Sequence, residues 1–217
     1  MREGSQQHVE HDSIGMLRPH RLESGQAMLD MMNGMLDLSR GDQVQLSAEV
    51  RRIRLLPWLA GVLAEREPVA ARRGRRLRLT CAEEVQMVAD PVLLQRVMLN
   101  LVDNAIKFQN TSDRAESFVL IRVDRIPEGI RIKVIDNGIG IDRMSAEKIF
   151  QMFVRASERS ETGGLGLYLS RIAVEKLGGD ISLHITEEKW TEFRVILPAD
   201  LNVIMEERRQ AELRADD

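Results

Sequence analysis

The sequence predicts a two-layer α/β sandwich, an α+β class in which helices cover a mostly antiparallel sheet. Short runs rich in β-branched residues alternate with helical patterns after residue 42, and pairs of these runs are separated by short polar turns typical of hairpins. An amphipathic helical pattern precedes them. We therefore expect one sandwich domain preceded by a long bundle helix.

Composition limits the classes of partner. The 217 residues are 43% hydrophobic, which is enough for one ordinary core and a helical appendage. A formal net charge of -3 gives no broad field for nucleic acid, so we expect no nucleic-acid partner. Cys81 is the single cysteine, which favours a reducing, cytoplasmic compartment. Apolar runs are too short to cross a bilayer, so we expect membrane attachment only through regions absent from this chain.

The N-terminal part divides into two segments. Residues 1–17 are polar, lack a signal-peptide core, and are predicted to be flexible. Residues 18–41 are predicted to be a helix, because Leu22, Leu29 and Leu36 recur every seven residues and form an apolar stripe. Such a stripe needs a partner helix, so we expect a homodimer through this region.

Residues 42–200 are predicted to form the sandwich domain. Asp90-Pro91 marks one helix start clearly, because aspartate is a favoured N-cap and proline suits the first helical position. The predicted elements are a strand at Val44–Glu49, a helix at Leu55–Glu67, strands at Leu77–Thr80 and Gln86–Val88, a helix from Asp90 to Phe108, strands at Phe118–Asp124 and Gly129–Asp136, helices at Ser145–Phe150 and Gly166–Leu177, and strands at Asp180–Thr186 and Phe193–Leu197. Residues 201–217 are predicted to be a charged helix or tail.

One face of the Asp90–Phe108 helix carries polar side chains. Asn100, Asn104 and Phe108 are spaced four apart, and Lys107 lies one turn from Asn104. Asparagine carbonyls suit Mg²⁺, which keeps several waters and takes other ligands from phosphates. The alternative is an ordinary solvated helix face. Two glycine-containing segments later in the chain make this the weaker interpretation.

Two glycine-containing segments follow. Asp136 ends a predicted strand and can accept a hydrogen bond from an exocyclic amine, while Gly138 and Gly140 give the backbone unusual freedom and leave room for a flat ring. The stretch Thr162-Gly-Gly-Leu-Gly-Leu167 directly precedes a helix, and glycine amides at a helix N-terminus form an anion site for phosphates. The three segments together predict a magnesium–nucleotide pocket.

These segments resemble the catalytic, ATP-binding domain of bacterial sensor histidine kinases, within the superfamily of gyrase, heat-shock-90, histidine-kinase and mismatch-repair ATPases, whose Bergerat-type fold is a two-layer α/β sandwich. Asn100–Phe108 resembles the family's asparagine box, Asp136–Gly140 its first glycine box and Gly163–Leu167 its second. Ile149–Arg155 resembles its phenylalanine box, and Asp37–Arg40 the usual end of its second phosphotransfer helix.

The resemblance implies ATP and Mg²⁺ as ligands and assigns roles to the matching residues. Asp136 would contact the adenine amine, and Asn104 with Asn100 would hold Mg²⁺. Lys107 would contact phosphate and Phe108 the nucleoside. The implied nucleotide-binding set also includes Gly138, Gly140, Gly164, Leu165, Gly166 and Leu167.

A lid over about residues 142–163 is also implied. Phe150 and Phe153 would anchor it, and Arg155 would contact the terminal phosphate. The alternative is core packing for the phenylalanines and a surface position for Arg155. Thr162 stands where the family usually has glycine, which bears on lid flexibility more than on binding.

Asn100 separates the branches of the superfamily. Hydrolytic members place a glutamate four residues before the magnesium-binding asparagine, where this chain has Asn100. An amide cannot act as a general base toward water, so transfer to another acceptor is favoured over hydrolysis.

The phosphate acceptor is the least defined part. The family's acceptor histidine lies on the first helix of a hairpin, and the matching stretch would fall before Met1. The chain therefore resembles a second hairpin helix with a catalytic domain, from a longer kinase or naturally abbreviated. Glu10-His11-Asp12 resembles the acceptor motif of another subfamily, with His11 as acceptor and Asp12 as base; the alternative is an unstructured N-terminal histidine.

The sequence thus predicts the catalytic region of a two-component sensor histidine kinase, which transfers the γ-phosphoryl group of ATP to histidine for relay to a response regulator receiver domain. Two alternatives stay open at this point. One is a nucleotide-binding regulatory module without autokinase activity, and the other is a serine kinase of the anti-sigma-factor type.

Overall fold

The computed structural model describes residues 50–109, 116–142, 146, 148–151 and 165–215. The statements below concern those residues. In chain order the elements are β1 (Arg51–Arg54), α1 (Leu55–Arg72), β2 (Arg76–Thr80), β3 (Gln86–Ala89), α2 (Pro91–Lys107), β4 (Phe118–Ile126), β5 (Gly129–Asp136), α3 (Gly166–Lys176), β6 (Asp180–Ile185), β7 (Thr191–Leu197) and α4 (Leu201–Ala215).

Five strands form the main sheet in the order β2-β4-β5-β7-β6. Strand β2 runs parallel to β4, and every other neighbouring pair in this sheet is antiparallel. Strands β1 and β3 form a separate antiparallel pair. The predicted α/β sandwich with a mostly antiparallel sheet is confirmed.

The core lies between the sheet and the helices. Helix α2 contributes its apolar stripe of Leu94, Val97, Leu101 and Ala105, each no more than 2% exposed, as the sequence pattern predicts. The sheet contributes alternating residues such as Ile132, which is fully buried. This packing fixes α2 against β4 and β5.

The start of α2 follows from its cap. The Asp90 Oδ1 accepts hydrogen bonds from the backbone N–H groups of Val92 at 2.8 Å and Leu93 at 3.1 Å. Pro91 occupies the first turn, where its missing N–H costs no hydrogen bond. Both features confirm the predicted boundary, and they set the register of the polar residues further along α2.

Several element boundaries differ from the sequence predictions. Helix α1 continues through Pro68 to Arg72, five residues beyond the predicted end, because the fully buried Ala70 anchors its last turn to the core. Strand β7 begins at Thr191 instead of Phe193. Within the predicted helix at residues 145–150, residue 146 is helical and residues 148–150 form a turn. The predicted strand at residues 44–49 and helix at residues 18–41 lie outside the described residues.

The C-terminal helix α4 packs onto the domain. Leu201 is 1% exposed, and the guanidinium of Arg208 donates a hydrogen bond to the Glu175 carbonyl in the last turn of α3 at 2.9 Å. A Cβ on Gly178 would lie 2.9 Å from a methyl group of Ile204, so this glycine permits the close contact. The predicted charged helix is therefore present, and its first turns belong to the core.

No helix in the described ranges is long and apolar enough to traverse a lipid bilayer.

Candidate functional site

Strand β5 ends in a buried carboxylate. Asp136 is 4% exposed, and its Oδ1 accepts a hydrogen bond from the backbone N–H of Gly138 at 2.9 Å. Burial raises the pKa of Asp136 to about 7, and the Gly138 hydrogen bond opposes part of that rise. The ionisation of this group near neutral pH therefore depends on what enters the space beside it.

Asp136 lines a cleft between α2 and the sheet. The walls are mainly apolar, with a few polar groups that can fix the orientation of a ligand. The lining residues are Asn104, Ala105, Phe108, Asp136, Ile139, Gly140, Ile141, Ile149, Thr191 and Phe193. A cleft of this kind suits a flat heterocycle that carries an amine.

The two glycines after Asp136 have different physical roles. Gly140 has φ +76°, a left-handed conformation that a residue with a Cβ adopts at a cost. A Cβ on Gly138 would lie 2.3 Å from the Phe108 carbonyl oxygen, which accepts the backbone N–H of Ile139 at 2.9 Å. Gly138 therefore lets the loop after β5 bind the end of α2, which places Phe108 at the cleft.

Side chains on the polar face of α2 lie in two places, some at the cleft and one against α3. Asn104 and Phe108 line the cleft, whereas Asn100, one turn earlier, contacts α3. The Asn100 side-chain nitrogen donates a hydrogen bond to Ser170 Oγ at 2.8 Å. A Cβ on Gly166 would lie 2.4 Å from Asn100 Oδ1, so this glycine provides the space that the asparagine oxygen occupies.

Helix α3 begins beside Asn100. Its N-cap residue, Leu165, makes no side-chain capping hydrogen bond and is 4% exposed. Leu167 is half-buried and packs against the core. The first turn of α3 therefore presents backbone N–H groups without a capping side chain from Leu165, as an anion site requires.

Two further predicted residues have defined contacts. The Lys107 Nζ lies 5.6 Å from the centroid of the Phe108 ring, a cation–π distance. Phe150 contacts Phe193 edge to face, with ring centroids 6.2 Å apart. Phe150 therefore adjoins a lining residue of the cleft. The phosphate contact of Lys107 stays a prediction.

Five predicted site residues lie outside the described residues. They are His11, Asp12, Phe153, Arg155 and Gly164.

Thr191 and Ser170 were missed by sequence reasoning. Thr191 pairs with Asp136 across β5 and β7, is 3% exposed and lines the cleft. Extending the alternation of Phe193, Val195 and Leu197 back by one step would have found it. Nothing in the local sequence marks Ser170, because its contact with Asn100 joins residues 70 positions apart.

Comparisons with known proteins agree with this geometry. Residues 89–201 match the family model described as histidine kinase-, DNA gyrase B-, and HSP90-like ATPase, and this range includes every residue named above as lining the cleft. The chain therefore belongs to this ATPase family.

Curated relatives are named as a sensor kinase and as a sensor protein. The autoinducer 2 sensor kinase/phosphatase LuxQ of Vibrio vulnificus strain CMCP6 is 32% identical over 188 residues, which cover 82% of this chain and 22% of LuxQ. The sensor protein TorS of Escherichia coli K12 is 30% identical over 182 residues, covering 81% of this chain and 19% of TorS. The matched part of this chain thus spans about a fifth of the length of these relatives.

Solved structures share the fold. The catalytic domain of histidine kinase ThkA, in a nucleotide-free form, aligns with a TM-score of 0.62 at 24% identity, over 71% of this chain and 98% of that domain. Full-length ShkA in complex with AMPPNP aligns with a TM-score of 0.65 at 25% identity, over 81% of this chain and 36% of ShkA.

Proposed function

We propose that this chain is the ATP-binding catalytic region of a two-component sensor histidine kinase, which transfers the γ-phosphoryl group of ATP to a histidine for relay to a response regulator receiver domain. The buried Asp136 carboxylate beside an apolar cleft is the observation that carries this proposal. Membership of the ATPase family supports the nucleotide, and the sensor kinases among the relatives support histidine as acceptor.

Adenine recognition rests on the polarity of the cleft. One oxygen of Asp136 already accepts the Gly138 N–H, which leaves the second oxygen for an exocyclic amine. The apolar walls, among them Ile139 and Ile141, match the faces of a purine. Thr191, opposite Asp136, offers a hydroxyl for a ring nitrogen or a bridging water.

The phosphates extend toward the start of α3 in this proposal. The first turn of α3, whose N-cap Leu165 supplies no capping side chain, favours negative charge, and Gly164 and Leu165 directly precede Gly166 in the sequence. Lys107, one turn beyond Asn104 on α2, supplies a positive charge beside Phe108, a lining residue of the cleft.

The donor set on α2 fits Mg²⁺. Asn100 and Asn104 supply amide oxygens one turn apart, and Gly166 leaves the space that the Asn100 oxygen needs. When bound, Mg²⁺ would neutralise charge on the phosphate oxygens and help to align them for in-line transfer.

The reaction then depends on positioning. A histidine nitrogen attacks the γ-phosphorus, the bond to the β–γ bridging oxygen breaks, and ADP leaves. Asn100 stands where a hydrolytic member would have a general base, so water is not activated and the histidine is the favoured acceptor. His11, with Asp12 as base, is the candidate acceptor in this chain, and a histidine on a separate phosphotransfer domain is the other.

The chain is also proposed to form a homodimer, to act on a receiver domain and to work in the cytoplasm. The heptad leucines of residues 18–41 favour a homodimer through a helical bundle. A receiver domain as partner and a cytoplasmic location, with any membrane attachment outside this chain, agree with the naming of the relatives as sensor kinases.

Incubation with γ-labelled ATP tests the function. The chain is assayed alone and with a separately supplied acceptor domain from a related kinase, and the acid stability of any phosphoprotein is measured. We expect acid-labile label, lost from the chain itself in His11→Ala if His11 is the acceptor. Acid-stable label would favour a serine kinase, and no label on any protein would favour a regulatory module.

Matched variants connect the label to the site. Asn104→Ala is expected to abolish transfer, whereas Asn202→Ala, at an exposed position on α4, is expected to leave it unchanged. Equal label in both variants would contradict the assignment of Asn104.

A further inference from the structure

Ser170 links α3 to α2 through a polar contact with Asn100. It is 3% exposed, and its Oγ accepts a hydrogen bond from the Asn100 side-chain nitrogen at 2.8 Å. Both helices also contribute apolar residues to the core, among them Val97 on α2 and Ala173 on α3. A buried serine in such surroundings needs a reason beyond packing.

Both the nitrogen and the oxygen of the Asn100 side-chain amide have defined neighbours. Its nitrogen contacts Ser170, and its oxygen lies against Gly166, one turn before Ser170 on the same face of α3. A residue larger than glycine at position 166 would push the oxygen away, because its Cβ would lie 2.4 Å from Asn100 Oδ1. Serine and glycine together therefore fix the rotamer of Asn100.

The hydrogen bond with Ser170 decides how the side-chain amide of Asn100 is oriented. The Ser170 Oγ accepts the amide nitrogen of Asn100 at 2.8 Å, so the hydroxyl occupies that side of the amide. The amide oxygen lies on the other side, against Gly166. The oxygen is consequently directed to the first turn of α3, where the proposed phosphates and their cation lie.

We propose that Ser170 is a positioning residue, which orients Asn100 so that its carbonyl oxygen, and not its amide nitrogen, faces the Mg²⁺ of the bound nucleotide. This inference rests on the proposed function, because it assumes that Mg²⁺–ATP occupies the cleft. Partners behind a metal ligand commonly change metal affinity by about 10-fold to 100-fold when they are removed.

A purely structural role would have a different signature. If Ser170 only joined the two helices, its loss would lower thermal stability and weaken nucleotide binding equally with and without Mg²⁺. If it orients Asn100, its removal should change how nucleotide affinity depends on the Mg²⁺ concentration. The two roles are therefore separated by measuring binding under both conditions.

Ser170→Ala is the direct test. The affinity for AMPPNP is measured by calorimetry in EDTA and across a Mg²⁺ series, with Ser182→Ala, an exposed contact of His184 on β6, as the matched control. We expect Ser170→Ala to leave the affinity in EDTA within about twofold and to raise the Mg²⁺ concentration for half-maximal effect by about tenfold. Ser170→Thr, which keeps the hydroxyl, should restore most of the Mg²⁺ dependence.

A double variant extends the test. Once Asn100→Ala has removed the ligand, Ser170→Ala should change the Mg²⁺ dependence no further, since positioning residues act only through their ligand. If Ser170→Ala does not fold, Ser170→Cys, which keeps the side-chain volume and weakens the acceptor, is measured in its place.

Two results would overturn the inference. One is an unchanged Mg²⁺ dependence in Ser170→Ala, and the other is an equal loss of affinity with and without Mg²⁺. Both leave the proposed function intact as long as the unchanged protein binds AMPPNP with Mg²⁺. Failure of the unchanged protein to bind would overturn the proposed function and this inference together.

Discussion

Asp136 and Gly138 are joined by a hydrogen bond in which the backbone N–H of the glycine donates to Oδ1 of the carboxylate at 2.9 Å. This single neutral donor does not offset the burial of the carboxylate, and the pKa of Asp136 rises to about 7 as a result. The proposed adenine contact therefore depends on a group that titrates near physiological pH.

The affinity for ATP should rise with pH through the pKa of Asp136. An amine donates to the ionised carboxylate, so protonation below pH 7 removes the acceptor. Between pH 6 and pH 8 we expect about a tenfold gain in affinity, the change in the ionised fraction of a group with this pKa. Calorimetric titration of AMPPNP at constant Mg²⁺ measures it. An equally steep profile in Asp136→Asn would assign the dependence to another group.

Asp136→Asn should stabilise the unliganded protein at high pH. The folded-state pKa lies above the ordinary value of 3.8, so the folded protein binds the proton more tightly, and stability falls as pH rises from about 4 to 7. A neutral amide avoids this loss. We expect the free energy of unfolding in urea to increase by about 2–4 kcal/mol at pH 8 and little at pH 4. The same gain at both pH values would be incompatible with a raised pKa.

Gly138→Ala should damage both the fold and the cleft. The added Cβ would lie 2.3 Å from the Phe108 carbonyl oxygen and 2.6 Å from Asp136 Oδ1, so the loop must move. We expect a loss of about 1–3 kcal/mol in the free energy of unfolding, together with weaker nucleotide binding. Thermal unfolding and AMPPNP titration measure the two effects.

Gly61→Ala is the matched control for that substitution. Gly61 lies inside α1, and a Cβ there has no neighbour within 4 Å. Alanine should stabilise the helix by about 0.5–1 kcal/mol and leave nucleotide affinity unchanged. If the two alanine variants behaved alike, the close contact at Gly138 would have no energetic importance.

Leu201→Ala tests the docking of α4. Leu201 is 1% exposed within the core, so its truncation should cost about 2–5 kcal/mol in denaturant unfolding. Leu213, which is 61% exposed on the same helix, should tolerate alanine with almost no change. Similar costs at both positions would mean that the first turn of α4 does not anchor the helix.

Patterns in the local sequence predicted the fold well. The cap at Asp90-Pro91 and the apolar stripe of α2 depend on neighbours within one or two turns, and both are confirmed. The predicted end of α1 at Glu67 was wrong, because the buried Ala70 extends the helix past Pro68 to Arg72. Tertiary contacts decided this boundary.

In the candidate site too, local sequence predicted some residues and tertiary contacts decided others. Asp136 was predicted because it ends a strand before two glycines, a signal contained within five residues. The partners Thr191 and Ser170 were missed because they meet the site through strand pairing and helix packing. Local spacing carries no information on such contacts until the fold brings the segments together.

Nucleotide selectivity at Asp136 tests the central claim most directly. GTP has a carbonyl where ATP has the exocyclic amine, so at pH 8, above the pKa of Asp136, the carboxylate should favour ATP by about 100-fold in calorimetric titrations with Mg²⁺. Asp136→Asn presents a donor in place of the free acceptor and should erase most of this preference. Equal affinities for ATP and GTP in the unchanged protein, or an undiminished preference for ATP in Asp136→Asn, would contradict the assignment of this cleft as an adenine site.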